Sequence, residues 1–139
     1  MCSWNNSIPI VWFRANKRAL IKLDSIKNIS FKKHTDIDSF IYFKEAKHAI
    51  DNFVKTGLIE VQSPSSGLVS QMIALSEKDV IIDACAAPGG KGRYIAETMN
   101  SSNVIHINEK SNSKYLKLIK EFKGKATSVT CKDASKDVF

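Results

Sequence analysis

The β-branched run Val80-Ile81-Ile82 leads directly into Asp83-Ala84-Cys85-Ala86-Ala87-Pro88-Gly89-Gly90-Lys91. A short buried strand that empties into a loop of small residues, followed by a helix, is how open α/β sheets build a cofactor site. Ala86, Ala87, Gly89 and Gly90 lack bulk, so backbone N–H groups there can approach a ligand closely. The helix that follows turns its positive end toward the same place. The loop is not a phosphate-cradling P-loop, which needs Gly six positions before the Lys and Ser or Thr after it. Cys85 and Gly92 occupy those positions. The G-x-G-x-x-G fingerprint is also absent, so geometry alone leaves many nucleotide cofactors open.

The surrounding pattern fits that reading. From Ser63-Pro64 onward, apolar periodicity predicts a helix with Leu68, Val69, Met72, Ile73 and Leu75 on a broad apolar face. Strands over 79–83, 103–108 and 126–130 alternate with helices over 91–99 and 111–122, which implies parallel pairing with crossover helices. In the last helix Tyr115, Leu118, Ile119 and Phe122 recur at helical spacing and are expected to face the sheet. Upstream the pattern differs. Residues 8–15 read as a strand, Asn16 as the N-cap of a helix over 17–25, and 29–31 and 37–43 as short strands. Lys32-Lys33-His34-Thr35 reads as a basic turn, 46–54 as one or two helical turns stopped by Gly57, and 58–61 as an extended piece. The expected fold class is α/β: the first half of a Rossmann-like sheet over 62–139, preceded by a small α+β subdomain over 1–61.

Composition narrows the function. A chain of 139 residues with 43% hydrophobic residues has room for one modest domain, or a small domain and part of another. A net charge of +7 favours a polyanionic partner such as nucleic acid. Cys2, Cys85 and Cys131 are scattered and form no Cys-x-x-Cys pair, which argues against a metal site and for a reducing compartment, the cytoplasm. The start of the chain has no signal-peptide pattern, and the longest apolar run, Ile8 to Phe13, is too short to span a membrane. His34, His48 and His106 stand far apart and receive no role.

The string from Asp83 to Lys91 closely resembles the S-adenosyl-L-methionine motif of the RsmB/Nop/Sun family of RNA cytosine-5 methyltransferases. Three further segments resemble that family in the same order. Pro9-Ile10-Val11-Trp12-Phe13-Arg14-Ala15-Asn16 is similar to its Pro-x-x-Trp-x-Arg-x-Asn strand, residues 57–66 to its Gly…Val-Gln-Asp…Ser segment, and Lys132-Asp133-Ala134 to its Gly-Asp-Ala/Gly turn. The resemblance covers almost the whole chain. It implies that Cys85, Ala86, Ala87, Pro88, Gly89 and Gly90 cradle the methionine part of the cofactor, that Lys91 lies near its carboxylate, and that Asp133 faces the adenine end. It implies an acidic residue for the ribose hydroxyls where this chain has Asn108, with Glu109 beside it. Gly92 stands where the family has Thr.

The family's chemistry needs a thiolate that adds to C6 of cytosine and a second cysteine that assists product release, in Pro-Cys and Thr-Cys-Ser contexts. Neither context occurs here: Cys85 is expected to be a small buried residue of the loop, and Cys131 a strand-end residue. No catalytic residue is assigned. The expectation is the cofactor-binding, RNA-facing front portion of an enzyme acting on ribosomal RNA, without turnover of its own. The rival reading is a catalytically silent RNA-binding module derived from the same family. Arg14, Lys17, Arg18, Lys32 and Lys33 are the RNA-contact candidates. The lysines of the last helix read more simply as a solvated face, and Trp12 as core rather than a base-stacking platform. Three strands with helices leave an open sheet edge and uncovered apolar surface, so self-association is expected.

Overall fold

The computed structural model describes residues 9–26, 29–44 and 50–137. The chain divides into two compact units, Met1–Ser65 and Ser66–Phe139, so the division falls a few residues beyond the boundary read from the sequence. The beginning of the 8–15 strand, residues 46–49 of the expected helix, Cys2 and His48 lie outside the described residues.

The first unit is a four-stranded antiparallel sheet in the order β2-β3-β1-β4. Its elements are β1 (Phe13–Ala15), α1 (Lys17–Ser25), β2 (Phe31–Lys33), β3 (Phe40–Phe43), α2 (Asp51–Lys55) and β4 (Ile59–Val61). Asn16 starts α1 as its side chain accepts the Ala19 N–H at 2.8 Å, which satisfies one of the donors a helix start leaves open. Ala19 and Leu23 on α1 pack with Ala15, Ile41, Ile50, Phe53 and Ile59 into one apolar cluster. The basic turn expected from Lys32 onward is corrected here: Lys32 and Lys33 belong to β2, paired with Tyr42 and Ile41.

The second unit starts within α3 (Pro64–Gln71) and contains β5 (Val80–Asp83), α4 (Gly90–Thr98), β6 (Val104–Asn108), α5 (Asn112–Glu121) and β7 (Ser128–Thr130). The three strands are parallel in the order β5-β6-β7, as the alternation of strand and helix requires. Ile105 and Ile107 of β6 pack with Ile95 of α4, Leu118 of α5 and Phe122, with Ile81 and Val129 against them. The opposite sheet face is uncovered. Val80 is 62% exposed, Ile82 is also exposed, and together with His106, Ser128, Thr130 and Lys132 they line a shallow cavity of about 200 Å³. Of the apolar face expected on α3 only Leu75, beyond the end of the helix, packs against the core: Gly67 and Ser70 are the buried positions of the helix, whereas Leu68 and Val69, and Met72 and Ile73 just beyond it, are exposed. Among the described residues no helix is long and apolar enough to cross a membrane.

Candidate cofactor site

In a parallel sheet all carboxyl ends lie at one edge, so β5, β6 and β7 deliver Asp83, Asn108 and Thr130 to the same place. The 84–89 loop crosses the end of β6: the Ala86 N–H donates to Asn108 O at 2.9 Å, and the Glu109 N–H to Thr130 O at 3.1 Å. The Ala87–Pro88 peptide is cis. Gly89 has φ +101°, and a Cβ built there would meet Arg93 at 2.9 Å, Leu118 at 3.1 Å and Phe122 at 3.2 Å. Glycine at this position is thus demanded by backbone conformation and by packing beneath the loop, as well as by any ligand above it. Gly92 is similar. A Cβ there would meet Ile107 at 2.9 Å and Phe122 at 3.1 Å. The missing side chain that lowers helix propensity is what lets α4 lie against β6.

Four polar side chains occupy this edge. Burial pushes the Asp83 carboxyl above its ordinary range, while the Cys85 and Gly92 amides and the Lys91 charge oppose that rise. Its Oδ2 makes no hydrogen bond of normal geometry. Asn108 is 1% exposed, and its amide is wholly engaged in the fold. Nδ2 donates to Ala84 O and Lys132 O at 3.0 Å each, and Oδ1 accepts from Thr130 Oγ1 at 2.8 Å and Lys132 N at 3.0 Å. Glu109, half-buried, accepts from Ser111 N at 2.9 Å and from Ala87 N at 3.3 Å. Asp133 accepts from Lys110 Nζ at 2.8 Å and from Ser135 Oγ at 2.7 Å; the Lys110 contact holds its carboxyl down at about 2.

The predicted cradle therefore comes together at one sheet edge: residues 85–91, Asn108 and Asp133 are contributed by the ends of β5, β6 and β7. Lys91 is exposed in the first turn of α4, close enough to act on Asp83. The N-terminus of α4 receives no side-chain cap, which leaves backbone donors for an anionic group such as a carboxylate. Cys85 is corrected: it is exposed and free, as is Cys131, whose thiol lies 3.6 Å from Lys110 O. Among the described residues no cluster of metal-ligating side chains occurs.

The family profile described as "16S rRNA methyltransferase RsmB/F" matches residues 70–137, which hold every element of this site. In that segment the chain resembles the RsmB/F methyltransferase family. Across 108 residues it is 29% identical to the probable ribosomal RNA small subunit methyltransferase B of Bacillus subtilis, covering 78% of this chain and 24% of that protein. Across 111 residues it is 30% identical to its Escherichia coli counterpart, covering 74% and 25%. The chain thus spans about a quarter of the length of these RsmB relatives. The same fold appears in a methyltransferase homologue from Pyrococcus horikoshii (TM-score 0.75, 21% identity, 91% of this chain and 45% of that one). It appears again in NSun6 of the same organism, crystallised with SFG (TM-score 0.72, 14% identity, 92% and 59%).

The RNA-contact candidates of the first unit separate into two groups. Lys17, Arg18, Lys32 and Lys33 are exposed. Arg14 is 4% exposed, and its guanidinium donates to Gln62 Oε1 at 2.9 Å and Glu60 Oε2 at 3.1 Å, tying β1 to β4 and the residue after it. Trp12 is half-exposed and meets His34 and Tyr42 with ring centroids 5.1 Å away in each case. This cluster was not legible beforehand, because Trp12, His34 and Tyr42 become neighbours only through the pairing of β1, β2 and β3.

Proposed function

We propose that the second unit binds S-adenosyl-L-methionine and that the chain is the cofactor-binding, RNA-facing portion of a ribosomal RNA cytosine-C5 methyltransferase acting in the cytoplasm. The observation that carries this reading is the convergence of the 85–91 loop, the end of β6 and Asp133 at the carboxyl edge of a parallel sheet, inside the segment matched by the RsmB/F profile. The SFG in the NSun6 structure, an analogue of the same cofactor, supports it. When bound, the cofactor supplies an electrophilic sulfonium methyl group. In this reading the first turn of α4 and Lys91 receive its carboxylate, the small residues of the loop leave room for the methionine chain, the β6 end at Asn108 lies beside the ribose, and Asp133 lies toward the adenine. The chain is proposed to have no turnover alone, because neither Cys85 nor Cys131 stands in the Pro-Cys or Thr-Cys-Ser context that the resemblance requires.

Isothermal calorimetry with S-adenosyl-L-methionine and S-adenosylhomocysteine tests the cofactor claim, with saturable one-site binding expected. Formation of 5-methylcytosine by this polypeptide alone would overturn the inactivity claim. For RNA, Lys17 and Arg18 on α1 and Lys32 and Lys33 on β2 are the proposed contacts, with buried Arg14 tying β1 to β4 in the same unit. Replacing all four with Gln is expected to flatten the dependence of log affinity on log salt, since each phosphate contact contributes a slope of roughly −0.7 on single strands. RNA binding without any cofactor binding would favour the silent RNA-binding module.

A further inference from the structure

We propose that Glu109, not its neighbour Asn108, is the side chain that receives the ribose hydroxyls of the cofactor, and that Asn108 is a clamp built into the fold. This rests on the cofactor reading above.

An asparagine amide offers two N–H donors and one oxygen with two lone pairs. In Asn108 both donors and both lone pairs already have partners: Ala84 O and Lys132 O on one side, Thr130 Oγ1 and Lys132 N on the other. These partners are the last residue of β7 and the segments that follow β5 and β7. The side chain therefore ties the two outer strand ends across the end of the middle one, and nothing is left for a ligand. A carboxylate could not do this, because it would place a second unprotonated oxygen against two backbone carbonyls. Asparagine is the residue this geometry requires.

Glu109 is the next residue along and presents the acid that Asn108 lacks. Its carboxylate touches the cofactor loop itself through Ala87 N. Ser111 N, at the start of α5, fixes the other oxygen. Each oxygen makes one protein hydrogen bond, at 3.3 Å and 2.9 Å, so each retains a lone pair. A vicinal diol has two O–H donors at a spacing that suits two carboxylate oxygens, and charge-assisted bonds of that kind are the strong ones.

The test is calorimetry on the whole chain with 5′-methylthioadenosine and its 2′,3′-dideoxy analogue, alongside S-adenosylhomocysteine. Wild type is expected to prefer the diol-bearing ligand by ten-fold or more. In Glu109→Gln that preference should shrink to within two-fold, while affinity for the dideoxy ligand stays nearly unchanged. An undiminished preference in E109Q, with an unaltered melting curve, would overturn the proposal and leave the cofactor site standing. Failure of wild type to bind any of the three ligands would overturn both. Should E109Q not fold, Glu109→Asp retains the charge but draws it back by one methylene, and must show the same loss of preference. Asn108→Ala is expected to lower the melting temperature and weaken both nucleosides equally.

Discussion

At the scale of single residues, the site is shaped as much by what lies beneath it as by what it holds. Gly89 combines a left-handed backbone with contacts that a methyl group would violate on three sides. Gly89→Ala is therefore expected to destabilise the second unit by about 2–4 kcal/mol, from left-handed strain together with overpacking, and a thermal melt followed by circular dichroism reads this directly. The Lys110–Asp133 pair makes a pH prediction. The Asp133 carboxyl is held down at about 2 in the fold, below the roughly 3.9 of an unfolded chain. Its contribution to stability is thus complete above the unfolded value and is lost as pH falls through the folded one. Carbon-detected NMR titration should find the Asp133 midpoint near 2, moving upward in Lys110→Met, in which the cation is removed.

At the scale of elements, local chemistry and tertiary packing decide different things. The span of α1 follows from chemistry confined to its own sequence: Asn16 caps, and Ala19 and Leu23 face inward. Asn16→Ala is expected to cost about 1 kcal/mol of stability, visible as an earlier denaturant midpoint with an unchanged slope. In α3 the same kind of reasoning misplaced the buried face. The apolar residues Leu68, Val69 and Met72 suggested a core stripe, yet Gly67 and Ser70 are the buried pair and Met72 is 75% exposed. Periodicity marks which residues share a face, but it does not say whether anything covers that face.

At the scale of the whole molecule, the consequence is uncovered apolar surface in the second unit. Helices α4 and α5 pack on one side of the β5-β6-β7 sheet, while Val80 and Ile82 remain exposed on the other and β5 has a free edge. Exposed strand edges and contiguous apolar surface favour association between chains. Sedimentation velocity over a hundred-fold dilution series is expected to show a concentration-dependent mass, and Val80→Lys with Ile82→Lys to shift it toward the monomer. A single monomeric species of wild type at every concentration would refute this prediction.

The order of strands and helices, the N-cap at Asn16, the loop from Asp83 to Lys91 and the resemblance that loop carries were all legible in the sequence. Each depends on residues close together along the chain, where spacing and residue type fix the local geometry. Only the tertiary structure showed that Arg14 is buried against Glu60 and Gln62, that Trp12 meets His34 and Tyr42, that Cys85 is exposed, and that Asn108 has no hydrogen-bonding capacity to spare. Those facts arise between residues far apart in sequence. Whether a polar atom has a partner is decided by which strands lie side by side, and no single stretch of sequence carries that information.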